Sequence, residues 1–243
     1  MHETQVQQAT QPQLVIGLGS GRCGTHSLAH LLNQQSAAKV YHERVDHQIC
    51  WHGSEQAVHA FLDEAIAQTE FQLIGDVAFY YLPYVEAILA RQPGVKFICL
   101  QRACTETVVS YLQKTSGRNH WMAHDGKNWQ LSVWDDCYPK YAVPDKESAL
   151  TLYWYEYYFT ATRLQALYPQ QFRIFPMTAL NSKAGQRTIL AFLGIPEAHM
   201  RFAVGIRVDR SHAKQWPNLR TALLSRLHAL SRLIKAPITV LTC

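Results

Sequence analysis

Arg22, Thr25 and Ser27 stand among glycines at positions 17, 19, 21 and 24, just after an apolar run and just before a segment of helical spacing. Glycines let a backbone bend and approach a ligand closely, and a guanidinium with two hydroxyls supplies strong donors to an oxyanion. The first amides of a helix beginning at Thr25 have no partner inside that helix and carry the positive end of its dipole. Phosphate or sulfate fits this chemistry. Proton transfer needs a different group, and three candidates follow: His42, Glu43 and Asp76, each at the end of an apolar or β-branched run.

The elements that must position these groups alternate regularly. Residues 14–16 read as a buried strand, 25–32 as a helix, 38–43 as a second strand, 55–69 as a helix and 71–76 as a third strand. A helix over 81–91 stops at Pro93-Gly94, residues 95–100 form a fourth strand, and 105–114 a helix. After an irregular segment, 148–167 reads as a long aromatic helix, 172–175 as a fifth strand, 184–193 as a helix ended by Gly194, and 219–235 as an amphipathic helix. This alternation predicts an α/β fold: a P-loop NTPase-like three-layer sandwich with a parallel sheet of four to five strands and helices on both faces. The strand ends at Leu18, Glu43, Asp76 and Arg102 then gather on one rim, where open α/β sheets bind ligands.

One domain over residues 13–243 is expected, with a polar, Gln-rich disordered tail at 1–12 and a lid or acceptor-binding insertion at 115–144. His120, Trp121 and His124 in that insertion are candidates to touch an acceptor. The chain of 243 residues is 48% hydrophobic and 17% charged, with a formal charge of +5. The excess suits an anionic ligand, while the absence of a Lys/Arg run of five or more argues against nucleic acid. No stretch has the make-up of a signal peptide or a transmembrane segment, so a cytoplasmic location is expected. Six cysteines without a C-x-x-C pair read as reduced thiols.

Several chemistries compete for the glycine-rich turn. A triphosphatase pattern fits Gly19 and Gly24, but Thr25 stands where Lys belongs and His26 where the magnesium-binding hydroxyl belongs. Gly19-Ser-Gly-Arg-Cys-Gly24 satisfies G-x-G-x-x-G, with Glu43 downstream for a ribose, yet the long cation of Arg22 sits badly in a dinucleotide turn. Cys23 at a helix start should have a lowered pKa, but Ala29 occupies the Arg position of the C-x5-R phosphatase spacing. His42 and His47 are five apart rather than four, so no zinc-binding helix face is expected, and no metal.

Residues 21–27, Gly-Arg-Cys-Gly-Thr-His-Ser, resemble the loop by which sulfotransferases hold the 5′-phosphosulfate of 3′-phosphoadenosine 5′-phosphosulfate: a basic residue, any residue, Gly-Thr and a further small hydroxyl. Arg102, followed eight positions later by Ser110, resembles the family's second motif, which binds the donor's 3′-phosphate. Residues 153–158 and 191–196 also look like late helices of such domains. The resemblance covers residues 14 to about 196. It implies a sulfotransferase that moves a sulfuryl group to a hydroxyl or amine of a small-molecule, carbohydrate or lipid acceptor, without a metal. Gly21, Arg22, Cys23, Gly24, Thr25, His26, Ser27, Arg102 and Ser110 would bind the donor, with Arg207, Arg210 and Lys214 as candidates for a third donor segment that has no clear match. Arg22 would assist catalysis. Glu43, slightly ahead of His42, would be the base. Alternation along a strand lets at most one of these two face the ligand, and Asp76 is held in reserve as base or orienting group. Arg102-Ala-Cys departs from the family's usual Arg-Asp-Pro. The alternatives are a P-loop kinase-like nucleotide-dependent transferase and a non-catalytic nucleotide-binding module.

Overall fold

β1 (Gln13–Leu18) is the middle strand of the sheet, and its side chains divide the core in two. Leu14, Ile16 and Leu18 face one hydrophobic cluster, and Val15 faces the other. Burial on both faces is what a parallel sheet between two helical layers requires, and it explains why residues 14–18 of β1 are apolar or glycine rather than alternating. The computed structural model describes residues 11–44, 49–124 and 127–205. Within them β2 (Ala38–His42), β3 (Leu73–Val77), β4 (Lys96–Gln101) and β5 (Phe172–Pro176) join β1 in one parallel sheet of order β2-β3-β1-β4-β5.

α1 (Thr25–Asn33) and α6 (Lys183–Phe192) cover the Val15 face through Leu28, Leu31, Leu32, Ile189 and Leu190. On the other face lie α2 (Gln56–Ala67), α3 (Val85–Arg91), α4 (Cys104–Lys114) and α5 (Lys146–Leu167). The result is the expected α/β sandwich. Asp145 caps α5 by accepting from Ser148 N at 2.8 Å, and Ser182 caps α6 through Gly185 N at 3.1 Å. β1 lies between β3 and β4, so chain connections leave in opposite directions at its carboxyl end, and a crevice opens there.

Three expectations change. The helix expected from residue 81 begins as a 3₁₀ segment, Phe79–Tyr84, and turns α-helical only at Val85. Pro83 inside that segment has no N–H to give to an α-helical bond. β2 ends at His42, and Glu43 has φ +50°, outside the strand. In the segment 115–144, Asn119, His120, Trp121, Cys137 and Tyr138 are buried, whereas Leu131 and Val133 stand exposed. Its interior half belongs to the core. The tail at residues 1–10, His47, Arg207, Arg210, Lys214 and the helix expected at 219–235 lie outside the described residues. Among those described, no helix is long and apolar enough to cross a membrane.

Candidate functional site

The turn after β1 needs its glycines. Gly21 and Gly24 adopt φ of +84° and +93°, and Arg22 itself sits at +54°. A Cβ on Gly21 would stand 1.7 Å from the Tyr111 hydroxyl. α1 starts beyond Gly24 with no side-chain cap, and its first internal bond is Leu28 N to Gly24 O at 3.0 Å. The amides of Thr25, His26 and Ser27 therefore open toward the turn, as an anion site requires.

Cys23 departs from expectation. It is fully buried, and burial pushes its thiol up to about 12, outweighing nearby donors and the Arg102 charge. The helix start does not activate it. Its sulfur fills the space under the turn, 2.4 Å from where a Cβ on Gly19 would be, so any ligand contact of Cys23 would come from its backbone.

The two distant sequence motifs meet at Arg22. Its Nε donates to Ser110 Oγ at 3.1 Å, and Arg102 Nη1 donates to the Arg22 carbonyl at 3.0 Å. Arg102 also pairs with Glu106 one turn along α4 at 3.0 Å, while its own carbonyl accepts from Trp154 Nε1 at 3.0 Å. Two guanidinium groups and a buried hydroxyl thus converge on the loop from elements eighty residues apart.

Across the rim, the titratable candidates His42, Glu43 and Asp76 stand at or just past the carboxyl ends of β2 and β3. His42 Nε2 lies 3.0 Å from Thr25 Oγ1, and its ring stacks on His26 at 3.6 Å between centroids. Glu43 donates its backbone N–H to Val77 O at 3.2 Å. Its left-handed φ breaks the alternation of the strand, so the rule that only one of the pair could face the site does not apply here. The Glu43 carboxyl is raised to about 7, first by burial and then by the negative charge of Asp76, against the pull of Arg22. Asp76 is fully buried and accepts from Tyr81 Oη at 3.1 Å, and its Oδ1 has no hydrogen bond among the described residues. Burial raises its pKa, opposed by the Tyr81 hydroxyl and nearby backbone amides. Complete burial suits Asp76 to orienting and tuning its neighbour rather than to reaching an acceptor.

The acceptor candidates of the 115–144 segment are turned inward. Trp121 is fully buried against Tyr111, Tyr138 and Tyr153. His120 stacks on Tyr138, and both His120 and His124 pair with Asp135, at 2.9 and 3.2 Å. Among the described residues no group of three or more His, Cys, Asp or Glu is arranged to hold a metal ion.

Sequence reasoning missed the hydroxyls beneath the loop. Tyr157 and Tyr158 are buried, Tyr157 Oη accepts from Gly19 N at 2.9 Å and Tyr158 Oη accepts from Ser20 N at 3.4 Å. Tyr111 Oη donates to Ser20 O at 2.6 Å. The signal was available in the residue type: a buried helix face made of Tyr rather than Phe must find partners for its hydroxyls.

No family model matches the chain, and no curated protein matches its sequence. Among solved structures it is similar to the mouse sulfotransferase SULT7A1 complexed with PAP, at 12% identity over 94% of this chain and 69% of that one, with a TM-score of 0.46. It is also similar to a sulfotransferase from Alicyclobacillus acidocaldarius, at 16% identity over 95% of this chain and 98% of that one, with a TM-score of 0.51. The five-stranded parallel sheet, its two helical layers and this second likeness give the chain a sulfotransferase fold.

Proposed function

We propose that this protein is a sulfotransferase that takes a sulfuryl group from 3′-phosphoadenosine 5′-phosphosulfate and delivers it to a hydroxyl or amine acceptor. The observation that carries this reading is the meeting of Arg22, Arg102 and Ser110, from two separate motifs, beside the uncapped start of α1. A donor with phosphates at two ends needs two cationic subsites, and the rim offers two guanidinium groups with a free helix start between β1 and α1. The residues fit that donor. Bound there, it supplies an activated sulfuryl group whose leaving group is adenosine 3′,5′-bisphosphate.

The protein's own part is positioning and charge neutralisation. The amides of the first turn of α1, with Thr25 and Ser27 hydroxyls, receive the 5′-phosphate, and Arg22 balances charge on the transferred and bridging oxygens. Arg102 and Ser110 turn from Glu106 and Arg22 toward the 3′-phosphate. Glu43 takes the proton of the attacking hydroxyl or amine as the new bond to sulfur forms and the old sulfur–oxygen bond to the bisphosphate breaks. A carboxyl raised to about 7 by burial and Asp76 is matched to that task near neutral pH. His42, engaged with Thr25 Oγ1, is better placed to orient the loop hydroxyl than to accept that proton.

Thermal melting tests the reading. Adenosine 3′,5′-bisphosphate should raise the melting temperature without magnesium. Stabilisation by ATP with magnesium and none by the bisphosphate would favour a kinase-like transferase instead.

A further inference from the structure

Residues 19–21 link a buried strand to a helix, and their backbone groups need partners that a bent turn cannot supply from itself. Gly19 N, Ser20 N and Ser20 O each meet a different tyrosine hydroxyl, at 2.9, 3.4 and 2.6 Å. Two of those hydroxyls are anchored in turn. Tyr157 Oη donates to Phe79 O at 3.1 Å, just past β3, and Tyr158 Oη donates to Leu100 O at 2.7 Å in β4. Each phenol therefore uses its one proton on a fixed carbonyl and a lone pair on a loop amide, which sets the direction of both bonds. Tyr111 completes the set from α4, and Gly21 packs so closely on its hydroxyl that no side chain fits between them.

We propose that the hydroxyls of Tyr111, Tyr157 and Tyr158 are positioning groups that hold residues 19–21 in the shape that receives the donor's 5′ end. This rests on the donor reading above. The three rings are 4%, 0% and 3% exposed, so the hydroxyls are presented without loss of side-chain freedom when a ligand arrives. Taking the Gly19 and Ser20 amides out of play also leaves the amides at the start of α1 as the anion-facing set. A comparison is built into α5. Tyr153 lies one turn before Tyr157, is equally buried, and shares its ring packing, but its hydroxyl has no hydrogen-bond partner among the described residues.

The experiment compares Tyr157→Phe, Tyr158→Phe and Tyr111→Phe with Tyr153→Phe in the full chain. It reads amide hydrogen exchange over residues 19–24 in the free protein and calorimetric affinity for adenosine 3′,5′-bisphosphate. Each of the first three should speed exchange in the loop and weaken the bisphosphate by about 3–10-fold, the range of one lost hydrogen bond. Tyr153→Phe should leave both readings at wild-type values. Unchanged loop exchange in all three, unchanged affinity despite faster exchange, or equal effects from Tyr153→Phe would overturn the proposal. Three separate substitutions keep the test open if one variant does not fold. A wild-type protein that binds no bisphosphate would break the donor reading instead, and loop exchange would still decide whether the hydroxyls set its shape.

Discussion

The two sides of the rim treat their polar groups in opposite ways. On the proposed donor side, the backbone of Gly19 and Ser20 is bonded to buried tyrosines, and Arg22 is bonded to both Arg102 and Ser110. On the side of the candidate base, the charge of Asp76 raises the proton affinity of the Glu43 carboxyl, burial raises that of Asp76, and one oxygen of Asp76 has no hydrogen bond among the described residues. A satisfied network fixes a shape, whereas a buried carboxyl beside a second acid has a raised proton affinity, as Glu43 does at about 7. The division suits the sulfuryl transfer proposed above, which would need a rigid seat for a charged donor and a group that can change charge.

Breaking the base side should cost the most turnover and the least affinity. Glu43→Gln is expected to lower release of bisphosphate from the donor by about 10²–10⁴-fold, the usual weight of a general base, while calorimetry shows bisphosphate affinity close to wild type. Loss of both together would place Glu43 in donor binding instead. The same group sets two pH dependences. Turnover should rise as pH climbs through about 7, where Glu43 gives up its proton. Stability runs the other way. A carboxyl raised from 4.5 to about 7 on folding contributes stability that is complete below 4.5 and lost as pH rises through 7. Glu43→Gln should therefore melt above the wild type at alkaline pH, with the gap closing toward 4.5, and an equal gap at both ends would contradict that origin.

Breaking the donor side should do the reverse. Arg102→Ala is expected to weaken adenosine 3′,5′-bisphosphate by about 10–100-fold, as for a hydrogen bond to a charged group, and to leave adenosine 5′-phosphate nearly untouched. Equal losses for the two nucleotides would remove the 3′-phosphate from Arg102. The smallest effect belongs to the coupling between the carboxyls. Asp76→Asn removes a like charge from beside Glu43, so the midpoint of the turnover profile should move to lower pH, and a midpoint that stays or rises would exclude that coupling.

Much of this arrangement is legible in the sequence because it depends on local spacing. Apolar residues within 14–16, 71–76 and 95–100 mark strands buried on both faces, Gly194 ends α6 at φ +77°, and the Arg102–Ser110 interval spans the start and interior of α4. The misses come from tertiary context. Glu43 adopts a left-handed backbone conformation that nothing in its own residue type requires, so strand alternation does not extend to it. Cys23 sits at a helix start, where the dipole favours a thiolate, yet burial is the larger effect and wins. Trp121 lies in an unpatterned segment that looks like a loop, but it packs against tyrosines from α4 and α5. The tyrosine hydroxyls under the turn were hidden for the same reason: their partners lie 91 and 138 residues away in the chain.

A crystal structure of the protein with adenosine 3′,5′-bisphosphate would locate both phosphates and the candidate base at once. The 5′-phosphate should lie against the Thr25, His26 and Ser27 amides, the 3′-phosphate between Arg102 and Ser110, and Glu43 should face the open side of the 5′-phosphate. A bisphosphate bound elsewhere on the molecule, or one seated in the turn with its 3′-phosphate away from Arg102 and Ser110, would contradict it.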